Sequence, residues 1–341
     1  MKNPCRNFVV NPLPSLAALF LFLAVPLEAQ DQSEFKGVWE PVSFSEDISL
    51  REVFFVTVDK GWAAGEYGTI IHTKDGGDTW IAQVGGDPQA DEEPVKLLRF
   101  IDETHGWAVK DGRILRTGDG ESWEDLGSAP QYIHELAMSS PTEGVAAGYL
   151  GMGRVPSTLL KTRDGGRTWN PVTGCAVKAM VGGLNREFEC DVIRIQFVTP
   201  LVGYLVARHK CFGAGCGPPP ILGKTEDGGE SWRFFVGPGD ASVVSARDLF
   251  FTDENNGIVR TSDKKVARTT DGGETWKGLL ASVGPSGYLL FADPEVGWAL
   301  EEQKISYTVD GGSRWNSRAL RFPAHMRAWS FPRRDRAYAV G

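Results

Sequence analysis

Residues that carry chemistry are scarce in this chain. It has five cysteines and five histidines in 341 residues. It contains no HExxH, GxSxG or phosphate-loop phrase, which removes the commonest metalloprotease, serine-hydrolase and nucleotide-triphosphate chemistries. Long apolar runs are also missing. Leu16 to Val25 is the one conspicuous stretch, and it is too short for a spanning helix. The formal net charge is -8, which argues against a nucleic-acid partner. Glycine, by contrast, is plentiful at 41 residues, and it falls in a repeating phrase.

That phrase reads TKDGGDTW at Thr73 to Trp80, TRDGGRTW at Thr162 to Trp169, TEDGGESW at Thr225 to Trp232 and TTDGGETW at Thr269 to Trp276. Two copies are degenerate: TGDGESW at Thr117 to Trp123 is a residue short, and TVDGGSRW at Thr308 to Trp315 carries Arg314 where Thr or Ser stands elsewhere. The aspartates Asp75, Asp119, Asp164, Asp227, Asp271 and Asp310 are 44, 45, 63, 44 and 39 residues apart. Roughly 40 to 50 residues is the period of a four-stranded propeller blade. Between boxes an apolar strand, a turn, Gly-Trp or its equivalent, a second strand and a third strand ending in Thr recur, with Val, Ile, Phe and Thr broken by Gly and Asp. This is strand and hairpin chemistry. Each box Asp is expected to accept amide hydrogen bonds within its own turn, the glycines to supply positive φ, and the Trp to fill space between sheets. The repeated carboxylates read as structural staples, not as acid/base catalysts.

The expected fold is therefore all-β: a seven-bladed propeller of four-stranded antiparallel blades. The seventh blade would join Phe35 to Val42, a box-like strand without its Asp, to the strands of Met326 to Gly341, leaving no exposed sheet edge. On this reading the last blade is one strand short.

Lys2 and Arg6 precede the apolar run and the small residue Ala29 follows it, the pattern of a secretory signal peptide over residues 1–29. The single propeller domain would then occupy 30–341, in an exported protein of the periplasm or the extracellular space. Cys5 falls in the leader. Cys175, Cys190, Cys211 and Cys216 remain, an even number that suggests two disulfides in an exported chain. Pairing within each loop is preferred, with the crossed pairings as alternatives. A four-cysteine zinc site is the sharper option, but CFGAGC and a Cys-x14-Cys spacing lack the paired short knuckles of such sites.

From the second-strand Gly to the box Asp, the units measure 14 (Gly61), 13 (Gly106), 20 (Gly144), 24 (Gly203), 14 (Gly257) and 13 (Gly297) residues. The third and fourth units are thus lengthened between their second and third strands, and the segment joining them is long as well. The cysteine-bearing insertions, 171–191 and 207–220, are expected on the face opposite the boxes, where recognition tends to reside.

Ten residues before that Gly stand Arg51, Lys96, His134, Ile193, Arg247 and Gly287, with Arg327 at the same distance from Ala337 and Arg194 one step out of register. The first strand of each blade lines the central axis, so Arg51, Lys96, His134, Arg194, Arg247 and Arg327 are expected to ring the channel mouth. A cationic ring suits a carboxylate or other anion. The plainer alternative is that these cations pair with the adjacent Glu52, Glu135 and Asp248.

With GWAAGEYGTIIHTKDGGDTW in the first unit, the chain resembles the photosystem II stability and assembly factor family of Asp-box propellers, from about Phe35 to Gly341. The resemblance implies a seven-bladed, exported, non-enzymatic protein. It implies an Arg-rich surface, matched here by Arg51, Arg247 and Arg327, that holds a membrane-protein subunit during assembly. The expected partner is a protein of the membrane or envelope, with no cofactor, no metal and no membrane-spanning segment in the chain itself. The enzymatic alternative is a sialidase-like glycosidase, in which the same three arginines would hold a carboxylate. Against it, no Phe-Arg-Ile-Pro or Tyr-Arg-Ile-Pro phrase precedes the first strand. A tyrosine paired with a glutamate beneath the arginines would be its signature.

Overall fold

The computed structural model describes residues 48–341, apart from residues 91, 130–131, 150–156, 182–183, 210–220, 237–245, 262–265, 280–288, 302–303, 320–325 and 334–335. Among the described residues every regular element is a strand, and no helix is long and apolar enough to cross a membrane. The expected leader (1–29) and the strand at Phe35 to Val42 lie outside the described residues, as do Cys211 and Cys216.

Six antiparallel blades follow one another along the chain. Blade 1 comprises Leu50–Phe55, Gly61–Gly65, Ile70–Thr73 and Ile81–Val84, and blade 2 Val95–Phe100, Gly106–Lys110, Arg113–Thr117 and Glu124–Ser128. Blade 3 comprises Tyr132–Met138, Gly144–Tyr149, Ser157–Thr162 and Asn170–Gly174. Blade 4 is built from Leu184–Phe197, Gly203–His209, Ile221–Thr225 and Arg233–Val236. Its long inner strand also pairs, upstream of Cys190, with the extra strand Ala176–Val181. Blade 5 comprises Ala246–Phe251, Gly257–Thr261, Val266–Thr269 and Lys277–Leu279, and blade 6 Leu289–Phe291, Gly297–Glu301, Lys304–Thr308 and Asn316–Ala319. The expectation of seven blades is corrected to six. Among the described residues two strands, Ala328–Arg333 and Arg336–Val340, follow blade 6, and they form a two-stranded sheet that packs on the inner strand of blade 1.

The Gly-Trp phrase acquires its physical reason here. In blade 1, Phe55 pairs with Gly61 across the strands, and a Cβ on Gly61 would lie 2.5 Å from the Phe55 ring. Glycine is thus required for the ring to lie flat on its own sheet. The same close approach joins Gly106 to Phe100, Gly257 to Phe251 and Gly297 to Phe291. The residue after the Gly then reaches the next blade. Trp62 stacks on Phe100 at 3.8 Å, Tyr204 on Phe251 at 3.5 Å and Trp298 on Phe331 at 4.4 Å. Aromatic pairs of this kind contribute about 0.5–1.5 kcal/mol beyond the area they bury.

Polar clamps accompany the stacks. Trp62 Nε1 donates to the Gly120 carbonyl at 3.2 Å and Trp107 Nε1 to the Gly165 carbonyl at 2.8 Å, both in the box turn of the following blade. Blade 3 has Val145 at this position, which has no donor to offer. Its cross-strand partner Lys161 supplies one instead, its ammonium bonding the Gly228 carbonyl at 2.6 Å and Glu143 Oε2 at 2.7 Å.

The box turns close on themselves. Asp75 Oδ1 accepts from the Thr79 amide at 2.9 Å and from the Thr73 hydroxyl at 2.8 Å, while the Thr73 hydroxyl oxygen accepts from the Gly77 amide. Gly76 and Gly77 take φ of 75° and 97°, where a side chain would be strained. Asp119, Asp164, Asp227, Asp271 and Asp310 each accept from the Thr two residues before them in the same way.

Candidate functional site

The inner strands enclose a central lumen of about 1000 Å³. At the end where these strands begin, five of them carry a β-bulge: the register skips a residue between Leu50 and Glu52, Val95 and Leu97, Ile133 and Glu135, Val192 and Arg194, and Ala246 and Asp248. The skipped residues are Arg51, Lys96, His134, Ile193 and Arg247, the very positions the sequence alignment singles out. A bulge re-aims side chains. Here the residue after it, namely Glu52, Glu135, Arg194 and Asp248, lines the lumen; blade 2 contributes Arg99 two residues beyond Leu97.

The expected cationic ring is therefore not what lines the channel. Of the six positions, Arg194 alone is on the lumen wall among the described side chains. Arg51 turns to Glu66 at the edge of its own blade, donating through Nε at 2.8 Å. Lys96 is exposed, 3.4 Å from Glu93 and above the Tyr132 ring. His134 stacks on Tyr149 at 4.4 Å, and its Nε2 lies 2.9 Å from the Val192 carbonyl of blade 4. Arg327 is exposed and its amide donates to the Val340 carbonyl at 2.7 Å. Arg247 sits in the inner strand of blade 5, and its side chain lies outside the description.

What the lumen holds is a row of alternating charge. In blade order it runs Glu52, Arg99, Glu135, Arg194, Asp248. Arg99 Nη1 donates to Glu52 Oε2 at 3.0 Å, and its Nη2 stands 3.6 Å from Glu135 Oε2. Arg194 Nη1 donates to Asp248 Oδ1 at 3.2 Å. Burial pushes the Glu52 and Glu135 carboxyls above their ordinary values, against the opposing attraction of Arg99. Arg99 is the member the sequence reading missed. Its signal was a charged residue set between Leu98 and Phe100 in the mostly buried strand VKLLRF.

Beside the lumen mouth, Cys175 and Cys190 form a disulfide that closes the base of the hairpin made by Ala176–Val181 and the start of the blade 4 inner strand. Both cysteines are fully buried. The adjacent Asp191, itself buried, accepts from the Tyr149 hydroxyl at 2.7 Å, Ser157 Oγ at 3.1 Å, and Arg208 through Nε at 3.0 Å and Nη2 at 2.7 Å. Burial lowers the His134 imidazole below its ordinary value, and its Nδ1 makes no hydrogen bond. Tyr149 thus donates to an aspartate, while Tyr204 and Tyr338 donate to backbone carbonyls. Among the described residues no group of three His, Cys, Asp or Glu side chains is placed to hold a metal ion.

The fold and site define an all-β propeller with an ion-paired lumen. No protein-family model matches the sequence. The chain is 27% identical over 197 residues to the photosystem II assembly lipoprotein Ycf48 of Synechococcus sp. (strain CC9902), covering 51% of this chain and 58% of that protein. It is 30% identical over 135 residues to the chloroplastic photosystem II stability/assembly factor HCF136 of Oryza sativa subsp. japonica, covering 36% and 32%. The chain spans between 32% and 58% of the length of the curated relatives it matches. Among solved structures, the WD40 propeller domain of Doa1 aligns over 84% of this chain and 87% of its own at TM-score 0.55 and 13% identity. An ancestral GH74 enzyme aligns over 82% and 39% at TM-score 0.54 and 13% identity, and YCF48 bound to D1 peptide over 84% and 96% at TM-score 0.41 and 16% identity. The chain resembles the photosystem II stability/assembly factor family of propellers.

Proposed function

We propose that this chain is an exported, non-enzymatic propeller that binds a protein of the membrane or envelope and acts as an assembly or scaffold factor for it. The observation that carries this reading is a shared face. Arg51, Lys96 and His134 stand at bulges on the end of the ring where the disulfide-closed hairpin of blade 4 also emerges. A rigid hairpin beside dispersed cations offers both shape and charge to a partner segment. The similarity to assembly factors supports the same reading, and export rests on the leader-like residues 1–29. The mixed lumen argues for contacts spread over this face instead of a single anion clamp at the axis, because Arg194 is already engaged by Asp248.

The test is affinity capture from extracytoplasmic and membrane extracts of the host. The chain is compared with a triple variant, Arg51→Ala, Lys96→Ala and Arg327→Ala, with the fold of both checked by circular dichroism. A membrane or envelope protein retained by the first and lost by the second is the expected result. Retention by the folded variant overturns the role of these cations, and release of sugar from sialoglycans with no retained protein moves the reading to a glycosidase.

A further inference from the structure

Among the described side chains, the lumen carries more acid than base. Glu52, Glu135 and Asp248 are three carboxylates, and Arg99 and Arg194 two guanidinium groups. Both oxygens of Asp248 are engaged: its Oδ1 accepts from Arg194 and from the Leu249 amide at 3.0 Å, and its Oδ2 accepts from the Leu289 amide at 2.7 Å. The surplus therefore lies around Arg99, which Glu52 and Glu135 share. Glu52 Oε2 takes the shorter bond, while its Oε1 accepts from none of the described residues. The Glu52 side chain is only 24% exposed, and a largely buried carboxylate without full compensation is costly, which a proton or a counter-cation relieves.

The wall beside Glu52 is of another character. Blade 6 and the two-stranded sheet line the lumen with Leu290, Phe291, Ala328 and Trp329, so the row of charges faces an apolar arc. A carboxylate oxygen at the edge of an apolar, aromatic wall suits a cation with a hydrocarbon body, with Trp329 as a ring over which charge is attracted. A metal ion is a poorer match, since it requires several converging oxygens and finds an apolar wall instead. An anion is a poorer match too, because both guanidinium groups are already engaged by carboxylates.

We propose that the lumen is a binding site for a small organic cation, with an ammonium or guanidinium head on Glu52 Oε1 and an apolar body along Leu290 and Trp329. The volume of about 1000 Å³ accommodates such a ligand with room for water. The upward displacement of the Glu52 and Glu135 carboxyls by burial agrees with a site short of positive charge.

Isothermal titration of the full chain at neutral pH tests this with three probes of one shape: phenethylammonium, the neutral 2-phenylethanol and the anionic phenylacetate. Saturable one-site binding of the ammonium is expected, about tenfold or more tighter than either analogue. Glu52→Gln removes that preference, weakening the ammonium about tenfold while leaving 2-phenylethanol unchanged. Equal binding of the three probes, or no heat from the ammonium up to about 10 mM, overturns the site and leaves a proton as the balancing charge. The three-probe comparison on the unaltered chain decides the matter even if Glu52→Gln does not fold.

Discussion

Tyr338 lies flat on Phe55, their ring centroids 3.4 Å apart and their planes 3° from parallel. Its hydroxyl donates to the Val58 carbonyl, and the Ser330 hydroxyl accepts from the Phe55 amide at 2.8 Å. The last sheet thereby makes on blade 1 the contact that Tyr204 makes on Phe251 and Trp62 on Phe100. Replacing Tyr338 by Ala is expected to cost about 3 kcal/mol in urea unfolding, and replacing it by Phe about 1 kcal/mol for the hydroxyl alone. Equal effects of the two changes would mean that the hydrogen bond, not the stack, holds the closure.

Lys161 is expected to be the most sensitive cation of blade 3. Its side chain is 1% exposed, and its ammonium holds Glu143 and the Gly228 carbonyl across a blade junction. Glu143 is 46% exposed, so water takes part of the load when the lysine is removed. Lys161→Met keeps much of the volume and loses the donor, and should lower unfolding free energy by about 2 kcal/mol. Lys161→Ala adds a cavity and should cost more.

The box carboxylates predict acid lability. Hydrogen bonds from Thr79 and Thr73 hold Asp75 at about 2, against an ordinary 3.8, and bonds from Thr275 and Thr269 hold Asp271 at about 2. At Asp227 burial opposes the shift, but the bonds from Ser231 and Thr225 prevail and bring it to about 2. Because the folded values are depressed, the unfolded chain takes up protons first as pH falls. Stability from these turns is full above about 4 and is lost on the way down to about 2. Melting temperature should fall through this window, and Asp271→Asn should flatten part of the slope.

His134 should act in a higher window. Burial lowers its folded value below 6.5, while the Val192 carbonyl and Asp191 pull it upward and Arg208 pulls it down. The unfolded imidazole protonates first, so stability is full above 6.5 and declines as pH falls below it. His134→Phe retains a ring against Tyr149 and should remove that share of the slope as pH falls below 6.5, read from melting curves.

The Cys175–Cys190 bridge closes a 15-residue separation, a length for which loop-closure entropy gives about 3 kcal/mol. The double Cys→Ser variant should lose stability of that order. Amide exchange should rise first in Ala176–Val181, whose pairing with the blade 4 inner strand starts next to the bridge.

Much of this architecture was legible in the chain. The boxes, their period and the Gly-Trp phrase are local chemistry: a Thr and an Asp that bond within one turn, glycines at positive φ, and a Gly that must lie under a Phe of its own sheet. Such constraints act between residues close in sequence, so they leave a repeating trace. The disulfide partners Cys175 and Cys190 were legible for the same reason. The lumen was nearly so. Alignment found the mouth of every inner strand, then assigned the cations of the bulges to the axis, because strand alternation alone carries no sign of a skipped residue. A one-residue slip exchanges the two faces of a strand. That slip separates Arg51 from Glu52 and His134 from Glu135.

By itself, then, the sequence determined the strand content, the repeat, the box turns and the end of the ring at which charge would gather. Only the tertiary structure decided that the described residues form six blades and a two-stranded sheet, and that Glu52, Arg99, Glu135, Arg194 and Asp248 meet in the lumen as an alternating row. The row exists because five strands distant in sequence are bulged at one level, and each side chain owes its charge partner to the strand beside it. Pairing of that kind depends on where neighbouring blades stand, which no single repeat records.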